Sequence, residues 1–429
     1  MNSKITQWLQ KQHQVVFSLY ATLVAFSTYA CMYAFRKPFT VAAFEGVDLW
    51  GLELKTVFII SQIFGYTLSK FMGIKVVSEM TPQKRARTIL LLIGLAEIAL
   101  LLFWLSPLPY KVLFIFFNGL PLGMVWGLVF AYLEGRKNTE LLGAGLSVSF
   151  IVSSGIVKSF GKYLMLEWGV SEFAMPFVTG AVFIVPLILF TYLLHQIPPP
   201  TKIDEELRTK RAPMNKADRL AFFKEFAGGI VMLTLIYMFL TAFRDLRDNY
   251  ALEILAAVGF VDNAAIFTQT EAPIALIVLI VMASIMLIQD NRKALMVNHY
   301  IILFGILLIG GATYLFQLGL IPPYLWMVLI GLGSYLGYVP FNCILFDRFI
   351  ATYKTIANAG FLIYISDAFG YLSSVGLLLY KNFGQTDISW YDFFVKFAYF
   401  TTVIGVVLTV ASIYYFHLQQ KKTIQKQEL

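Results

Sequence analysis

Charged residues are scarce in this chain: Asp, Glu, Lys and Arg make up 14% of its 429 residues. A typical soluble domain is about one quarter charged and about half apolar. Here 59% of the residues are hydrophobic and the mean hydropathy is +0.73. Apolar stretches long enough for a helix to cross a bilayer recur from end to end. The sequence therefore predicts a polytopic α-helical membrane protein rather than a soluble domain.

Groups of residues that bind metals or perform catalysis are also missing. Cys31 and Cys343 lie within apolar runs without metal or redox spacing, and the four histidines stand apart from any cysteine or carboxylate cluster. A glycine-rich loop for phosphates does not occur, which argues against an ATP-driven pump. We expect no enzyme activity, no metal and no cofactor.

Twelve apolar segments of spanning length follow one another along the chain. They cover residues 15–44, 56–78, 87–106, 111–134, 141–166, 173–195, 226–258, 266–289, 295–317, 324–347, 355–380 and 394–417. One alternate set of loops and tails holds 22 lysines and arginines, and the other set holds 4. Because cytoplasmic loops are rich in these residues, we expect a multi-pass protein of the cell (inner) membrane with both termini in the cytoplasm. The same bias accounts for the net charge of +8 without a nucleic-acid partner.

A long polar connection divides the chain near its midpoint. Residues 196–225 include Pro198, Pro199 and Pro200 and are dense in charge, which excludes a membrane span. We expect a cytoplasmic linker here. It would join an N-terminal six-helix bundle, residues 1–195, to a C-terminal six-helix bundle, residues 226–429.

Two arginines occupy matching points of the two halves. Arg36 lies deep in the first apolar segment, and Arg244 follows it in the seventh at an offset of 208 residues. The same offset relates Tyr29 to Tyr237. An arginine at the centre of a membrane helix costs at least about 2.5–3.5 kcal/mol, so it is retained for a purpose. Two such residues in a repeat predict a basic site between the halves.

The planar guanidinium group of arginine suits a phosphate or a carboxylate, because it donates two parallel hydrogen bonds. If the first helix runs through Phe44, then Tyr29, Tyr33 and Arg36 share one face. The alternative is that Arg36 extends to the outer interface, as we expect for Lys37 and Lys70 at their own interfaces. The expected substrate-binding residues are Arg36, Arg244, Tyr29, Tyr33, Tyr237 and Lys158.

Carboxylates near these cations allow a second interpretation. Asp248 lies one turn after Arg244, so the two are candidates for an ion pair that protonation of the carboxylate would break. Lys158 in the fifth span and Asp367 in the eleventh predict a salt bridge across a central cavity, either structural or gating. The expected coupling or gating residues are Asp245, Asp248, Asp367 and Glu271. Glu97 in the third span is a further candidate for proton binding.

Residues 29–39, YACMYAFRKPF, resemble the first-helix pattern Y-x-x-Y-Y-x-x-R-K-N-F of the organophosphate/phosphate antiporters typified by the glycerol-3-phosphate transporter. Residues 65–71, GYTLSKF, resemble that family's G-x-S-K-F, and Arg244 stands at its seventh-helix arginine. This branch belongs to the major facilitator superfamily. The resemblance implies an all-α membrane protein with twelve helices in two pseudo-symmetric six-helix bundles, and alternating access. It also implies that Arg36 and Arg244 hold the anion.

We therefore expect a secondary transporter, an antiporter or a symporter, for a small anionic solute such as a phosphorylated metabolite or a carboxylate. We expect it to act as a monomer in the lipid bilayer. One alternative is a proton-coupled symporter of a neutral solute, with the arginines paired internally to Asp245, Asp248 or Asp367. Another is a transporter-like ligand sensor in the membrane.

Overall fold

Apolar segments of this length fold as helices in a bilayer, because every backbone N–H and C=O must then find its partner within the segment. The computed structural model confirms this all-α architecture. It describes the whole chain except residues 1–2, 79, 135, 137, 202–215, 261–262, 286, 354–358 and 429. Residues 202–215 of the linker expected at residues 196–225 thus lie outside the described residues.

The described residues of the first half form eight helices. They are α1 (Lys4–Gln10), α2 (Gln14–Tyr33), α3 (Leu54–Ser78), α4 (Pro82–Leu105), α5 (Tyr110–Leu122), α6 (Val125–Phe130), α7 (Thr139–Trp168) and α8 (Met175–His195). Between α2 and α3 stand a short 3₁₀ helix, Pro38–Val41, and a hairpin of β1 (Asp48–Leu49) and β2 (Leu52–Glu53). The two strands are antiparallel, and Leu49 is opposite Leu52.

The second half repeats the alternation of long helices and short connections. Its helices are α9 (Lys216–Asn249), α10 (Ala251–Ala257), α11 (Ile266–Ile285), α12 (Asn291–Gln317), α13 (Pro323–Cys343), α14 (Leu345–Tyr353), α15 (Ala359–Gly384) and α16 (Trp390–Glu428). Helix α9 begins ten residues before the expected start at residue 226 and bends at Phe226, where the backbone leaves the helical region.

Eleven helical segments in the described part of the chain are long and apolar enough to cross a membrane, α5 and α6 together counting as one. Helix α3, with 25 residues, is not one of these eleven segments, but it packs against two of them, α5 and α15. Within the first half, α2 packs on α7 and α8, and α4 packs on α5 and α8. Across the halves, α3 meets α15, and α7 meets α11 and α13. The contact between the halves is therefore made by a few helices.

The antiparallel course of the helices gives the bundle two ends. The terminal end is the one at which α2 begins and α8 ends, and the loop end is the one that carries the hairpin of β1 and β2. Arg36 lies towards the loop end, whereas Lys70, late in α3, lies towards the terminal end.

The expectation that the first helix continues through Phe44 is wrong. Helix α2 ends at Tyr33, and a turn follows in which the N–H groups of Arg36 and Lys37 both bond to the Tyr33 carbonyl. Pro38 then opens the 3₁₀ helix. Proline has no N–H to donate and its ring clashes with the carbonyl four residues before it, which explains why the α-helix does not continue through Pro38.

Candidate functional site

The turn that carries Arg36 is held by two amide side chains of neighbouring helices. The last carbonyls of a helix have no partner within it. Asn118 of α5 donates to the Phe35 carbonyl at 2.8 Å, and Gln62 of α3 donates to the Arg36 carbonyl at 3.0 Å. Gln62 also donates to Asn118 at 2.7 Å. The backbone of the arginine is thus fixed by α3 and α5 together.

Arg36 points into the interface between the halves and not towards the membrane surface. Its side chain is buried, with only 4% of the residue exposed. The guanidinium carbon lies 3.7 Å from the ring centre of Tyr66 and 5.7 Å from that of Tyr371. Among the described residues no carboxylate pairs with it, and its Nε has no hydrogen-bond acceptor. A cation held on aromatic faces in this way keeps its hydrogen-bond donors for another group.

Arg244 reaches the same place from the other half but is already paired. Its Nε and one terminal nitrogen donate to Asp245 at 3.2 and 2.7 Å. The other Asp245 oxygen accepts from Ser374 at 2.8 Å. The guanidinium also lies 4.0 Å from the ring centre of Tyr338. The predicted pairing with the residue one turn later does not form, because the adjacent carboxylate takes its place.

Tyr371 of α15 joins the two arginines. The Arg244 guanidinium donates to its hydroxyl at 3.4 Å, while its ring faces Arg36. Its ring also packs edge-on against Tyr66, with centroids 4.7 Å apart. The structure therefore brings Arg36 and Arg244 to one site, as the repeat predicts, and lines that site with tyrosines.

The three tyrosines singled out in the sequence lie beside this site. Tyr29 and Tyr33 are buried and pack edge to face on each other at 5.6 Å. Tyr237 stacks on Tyr338 at 4.8 Å, and its hydroxyl donates to Asp367. The Tyr237 hydroxyl is thus hydrogen-bonded to a carboxylate at the terminal end of the site.

The predicted bridge between Lys158 and Asp367 is wrong. Lys158 pairs with Asp248, which also pairs with Lys37 and accepts a hydrogen bond of 2.6 Å from Ser154. One carboxylate of the second half therefore holds two lysines of the first. Lys37, in the turn after α2, is therefore buried in this cluster and does not extend to the membrane surface.

Asp367 instead pairs with Lys70 of α3 at 2.9 Å. The prediction that Lys70 extends to the membrane surface is therefore also wrong, since its side chain is buried between the halves. Its ammonium group lies 5.4 Å from the ring centre of Tyr66. This salt bridge links α3 with α15 on the terminal side of the arginines.

Glu271 of α11 has a local role. It pairs with Arg247 at 2.6 Å, and Arg247 also donates to the Met327 carbonyl at 3.1 Å. The cavity beside these residues has a volume of about 10 Å³. That is about the least space that a water molecule needs, so a solute does not fit there.

The two halves touch at both ends of their interface. At the loop end, Lys55 pairs with Glu253 at 2.5 Å, and the hydroxyls of Thr56 and Tyr250 share a hydrogen bond of 2.9 Å. At the terminal end, the hydroxyl of Tyr364 would lie 2.1 Å from a Cβ placed on Gly127, so a larger residue there would displace the tyrosine. The arginine site thus lies between two sets of cross-half contacts.

Several residues of the site were not among the expected substrate-binding or coupling residues. These residues are Gln62, Tyr66, Asn118, Tyr338, Tyr371 and Ser374. A partial signal existed for two of them: Gln62 and Tyr66 precede Lys70 by eight and four residues, the spacing of one helix face. Asn118 and Tyr338 lie on helices that have no charged residue at the depth of the site. Tyr371 and Ser374 follow Asp367, which was expected to pair with Lys158. Within the described residues, no group of three metal-binding side chains occurs.

Several solved structures with a similar fold are transport proteins. The D-xylose-proton symporter matches with a TM-score of 0.61 at 14% identity, over 94% of this chain and 97% of that one. A mutant of the nucleoside transporter NupG matches with a TM-score of 0.60 at 14% identity, over 92% and 99%. A bacterial homologue of the human lysosomal transporter Spinster, inward-facing and unoccupied, matches at 0.56 and 12%, over 99% of both chains. At these identities the likeness shows the fold, which is that of the major facilitator transporters.

The chain belongs to a family described as a family of unknown function, DUF5690, whose pattern matches residues 38–419. No curated protein matches the sequence.

Proposed function

We propose that this protein is a secondary transporter that carries a small anionic solute by alternating access. Residues 1–195 would rock against residues 226–429 around the site between Arg36 and Arg244. The cell (inner) membrane is the proposed location, with the termini in the cytoplasm. The charge bias of the loops supports this orientation.

The observation that carries the proposal is the state of Arg36. It is a buried guanidinium group that lies between the two halves with aromatic rings as neighbours. The five other buried cations around it each have a carboxylate partner. A buried charge without a partner is costly, so a bound anion would supply what this part of the protein lacks.

The charge balance around the site supports the same conclusion. Six cations stand against four carboxylates. They are Arg36, Lys37, Lys70, Lys158, Arg244 and Arg247 on one side, and Asp245, Asp248, Asp367 and Glu271 on the other. The formal excess of two positive charges suits a phosphorylated metabolite or a carboxylate. Because such an anion would also contact Tyr371 and Arg244 of the second half, its binding would draw the halves together.

A ligand screen followed by a flux assay tests this proposal. The purified protein is heated with phosphorylated metabolites, with carboxylates and with neutral sugars, and the melting temperature is recorded. We expect stabilisation by anions only, since a ligand that binds the folded state raises its stability. The anion that stabilises is then loaded into proteoliposomes, and its exchange or uptake is measured. Stabilisation by neutral solutes alone would refute the anionic substrate, and binding without flux would refute transport.

The pairing of Arg244 with Asp245 supports a second candidate function, proton-coupled symport of a neutral solute. In that mechanism protonation of Asp245 would release Arg244 and change its contact with Tyr371. The xylose structure that shares the fold is named a proton symporter. An inward pH gradient would then drive uptake of a neutral sugar into proteoliposomes, and Asp245→Asn would abolish the response to the gradient.

A further inference from the structure

Glu97 is a buried carboxyl group that the arginine site does not use. It lies in the middle of α4, and 7% of the residue is exposed. Neither of its carboxyl oxygens has a hydrogen-bond partner among the described residues. Its Oε2 would lie 2.1 Å from a Cβ placed on Gly180 of α8, so the carboxyl group fills the space in front of that glycine.

The helices around Glu97 bring no counter-charge to it. Helix α4 packs against α5, α6 and α8. Their titratable or charged side chains lie near helix ends and are Lys84, Arg85 and Arg87 on α4, Tyr110 and Lys111 on α5, and Tyr192 and His195 on α8. Lys111 donates instead to the carbonyls of Phe103 and Trp104 at 2.5 and 2.8 Å. Among the described residues, none of these helices therefore supplies Glu97 with a cation.

The outer surface of the same helix pair is apolar and open. Leu95 and Ile98 flank Glu97 on α4 and are exposed, as are Val182 and Val185 on α8. In a bilayer these side chains face the lipid tails. Glu97 is thus separated from the hydrocarbon phase by little more than the contact between α4 and α8. An ionised carboxylate in such surroundings is strongly disfavoured, whereas a neutral carboxylic acid is tolerated.

We propose that Glu97 is a proton-binding site, that it is a neutral carboxylic acid at pH 7.5, and that hydrophobic carbodiimides modify it from the lipid phase. In this reaction the acid adds across one C=N bond of the reagent. The carboxyl proton goes to nitrogen and a carboxyl oxygen bonds to carbon, which gives an O-acylisourea. Migration of the acyl group to nitrogen gives a stable N-acylurea. The product contains all the atoms of both reactants, and the site does not depend on the transport proposal.

The test is labelling of the full-length protein in lipid nanodiscs with dicyclohexylcarbodiimide at pH 7.5, followed by peptide mass mapping. We expect the α4 peptide to gain the mass of one whole reagent molecule at Glu97. A free carboxyl group with an ordinary pKa near 4.3 is less than about 0.1% protonated at this pH and should react far less. A charged, water-soluble carbodiimide is expected to leave Glu97 unmodified, because it does not enter the lipid.

Two variants complete the test. Glu97→Gln should lose at least nine tenths of the α4 labelling, and Glu167→Gln, which alters an exposed glutamate of α7, should retain it. The wild-type peptide map alone decides the matter if Glu97→Gln does not fold. An unmodified Glu97 in the wild-type protein would overturn the proposal. Equal labelling by the water-soluble reagent would overturn it too, because the group would then be accessible to water.

Discussion

Arg36 and Arg244 occupy corresponding positions in the two halves, yet the residue that follows Arg244 is an acid and the residue that follows Arg36 is a base. The residue that follows Arg244 is Asp245, which pairs with it at 2.7 Å. At the same point of the repeat, the residue that follows Arg36 is Lys37, and it turns away to Asp248 of the other half. The comparison teaches that the repeat predicts where a charge lies, while a single neighbouring residue decides whether that charge is neutralised.

The largest effect is expected from Asp248→Asn, which removes the carboxylate that holds both lysines beside Arg36. Breaking a buried pair costs about 3–5 kcal/mol, because an uncompensated charge remains. We expect a clearly lower melting temperature of the purified protein.

Glu253→Gln is the matched control for that variant. It breaks the pair with Lys55. Because 26% of the Glu253 side chain is exposed, water replaces part of the lost interaction. The expected loss of stability is smaller. An equal fall in melting temperature for both variants would mean that the lysine pairs next to Arg36 are not special.

Arg36→Gln is expected to weaken anion binding most. Truncating one partner of a buried charge pair typically costs about 2–5 kcal/mol. This corresponds to a Kd at least about 30-fold higher. The measurement is calorimetric titration with the anion that stabilises the protein. Arg244→Gln should have the smaller effect, since that guanidinium already pairs with Asp245. A larger effect for Arg244→Gln would reverse the comparison.

Asp245→Asn should make the second half resemble the first, because Arg244 would lose its carboxylate. A hydrogen bond to a charged group contributes about 1.5–3 kcal/mol, so the freed guanidinium should tighten anion binding at least about tenfold. The readout is the same titration, and the ligand-free protein should melt at a lower temperature. Unchanged or weaker anion binding would show that Arg244 does not reach the solute.

The smallest effect is expected from the ring under Arg36. Tyr66→Leu removes a cation–π contact of about 0.5–2 kcal/mol and leaves the guanidinium less well positioned. Tyr66→Phe keeps the ring, so its anion affinity should stay close to that of the wild type. If the two variants bind the anion equally well, the stacked ring does not help to position Arg36.

Much of the fold was predictable, because hydropathy and length locate membrane helices without knowledge of their neighbours. The positions of Arg36 and Arg244 between the halves also followed from the repeat. The pairing of charges did not. Lys158 and Asp367 are matched in the repeat, but each finds a nearer partner across the interface, Asp248 and Lys70 respectively. Which partner is nearer depends on helix rotation and on the contact between the halves, and a linear pattern contains neither.

The end of α2 was missed for a related reason. The apolar character of residues 38–44 favours continuation of the span, whereas Pro38 favours a break, and the break prevails because Gln62 and Asn118 satisfy the carbonyls that it frees. Side-chain partners from other helices are not visible in the local sequence. Sequence patterns therefore locate the arginine but not the shape of the backbone that presents it.

Helix α3 carries three functionally different groups at four-residue intervals. Gln62 supports the backbone of Arg36, Tyr66 lies against its guanidinium, and Lys70 binds Asp367 of the opposite half. A small rotation of α3 about its axis would alter all three contacts together. The contact proposed between Arg36 and a solute and the Lys70–Asp367 salt bridge between the halves would then change in one step, without a change in the loops.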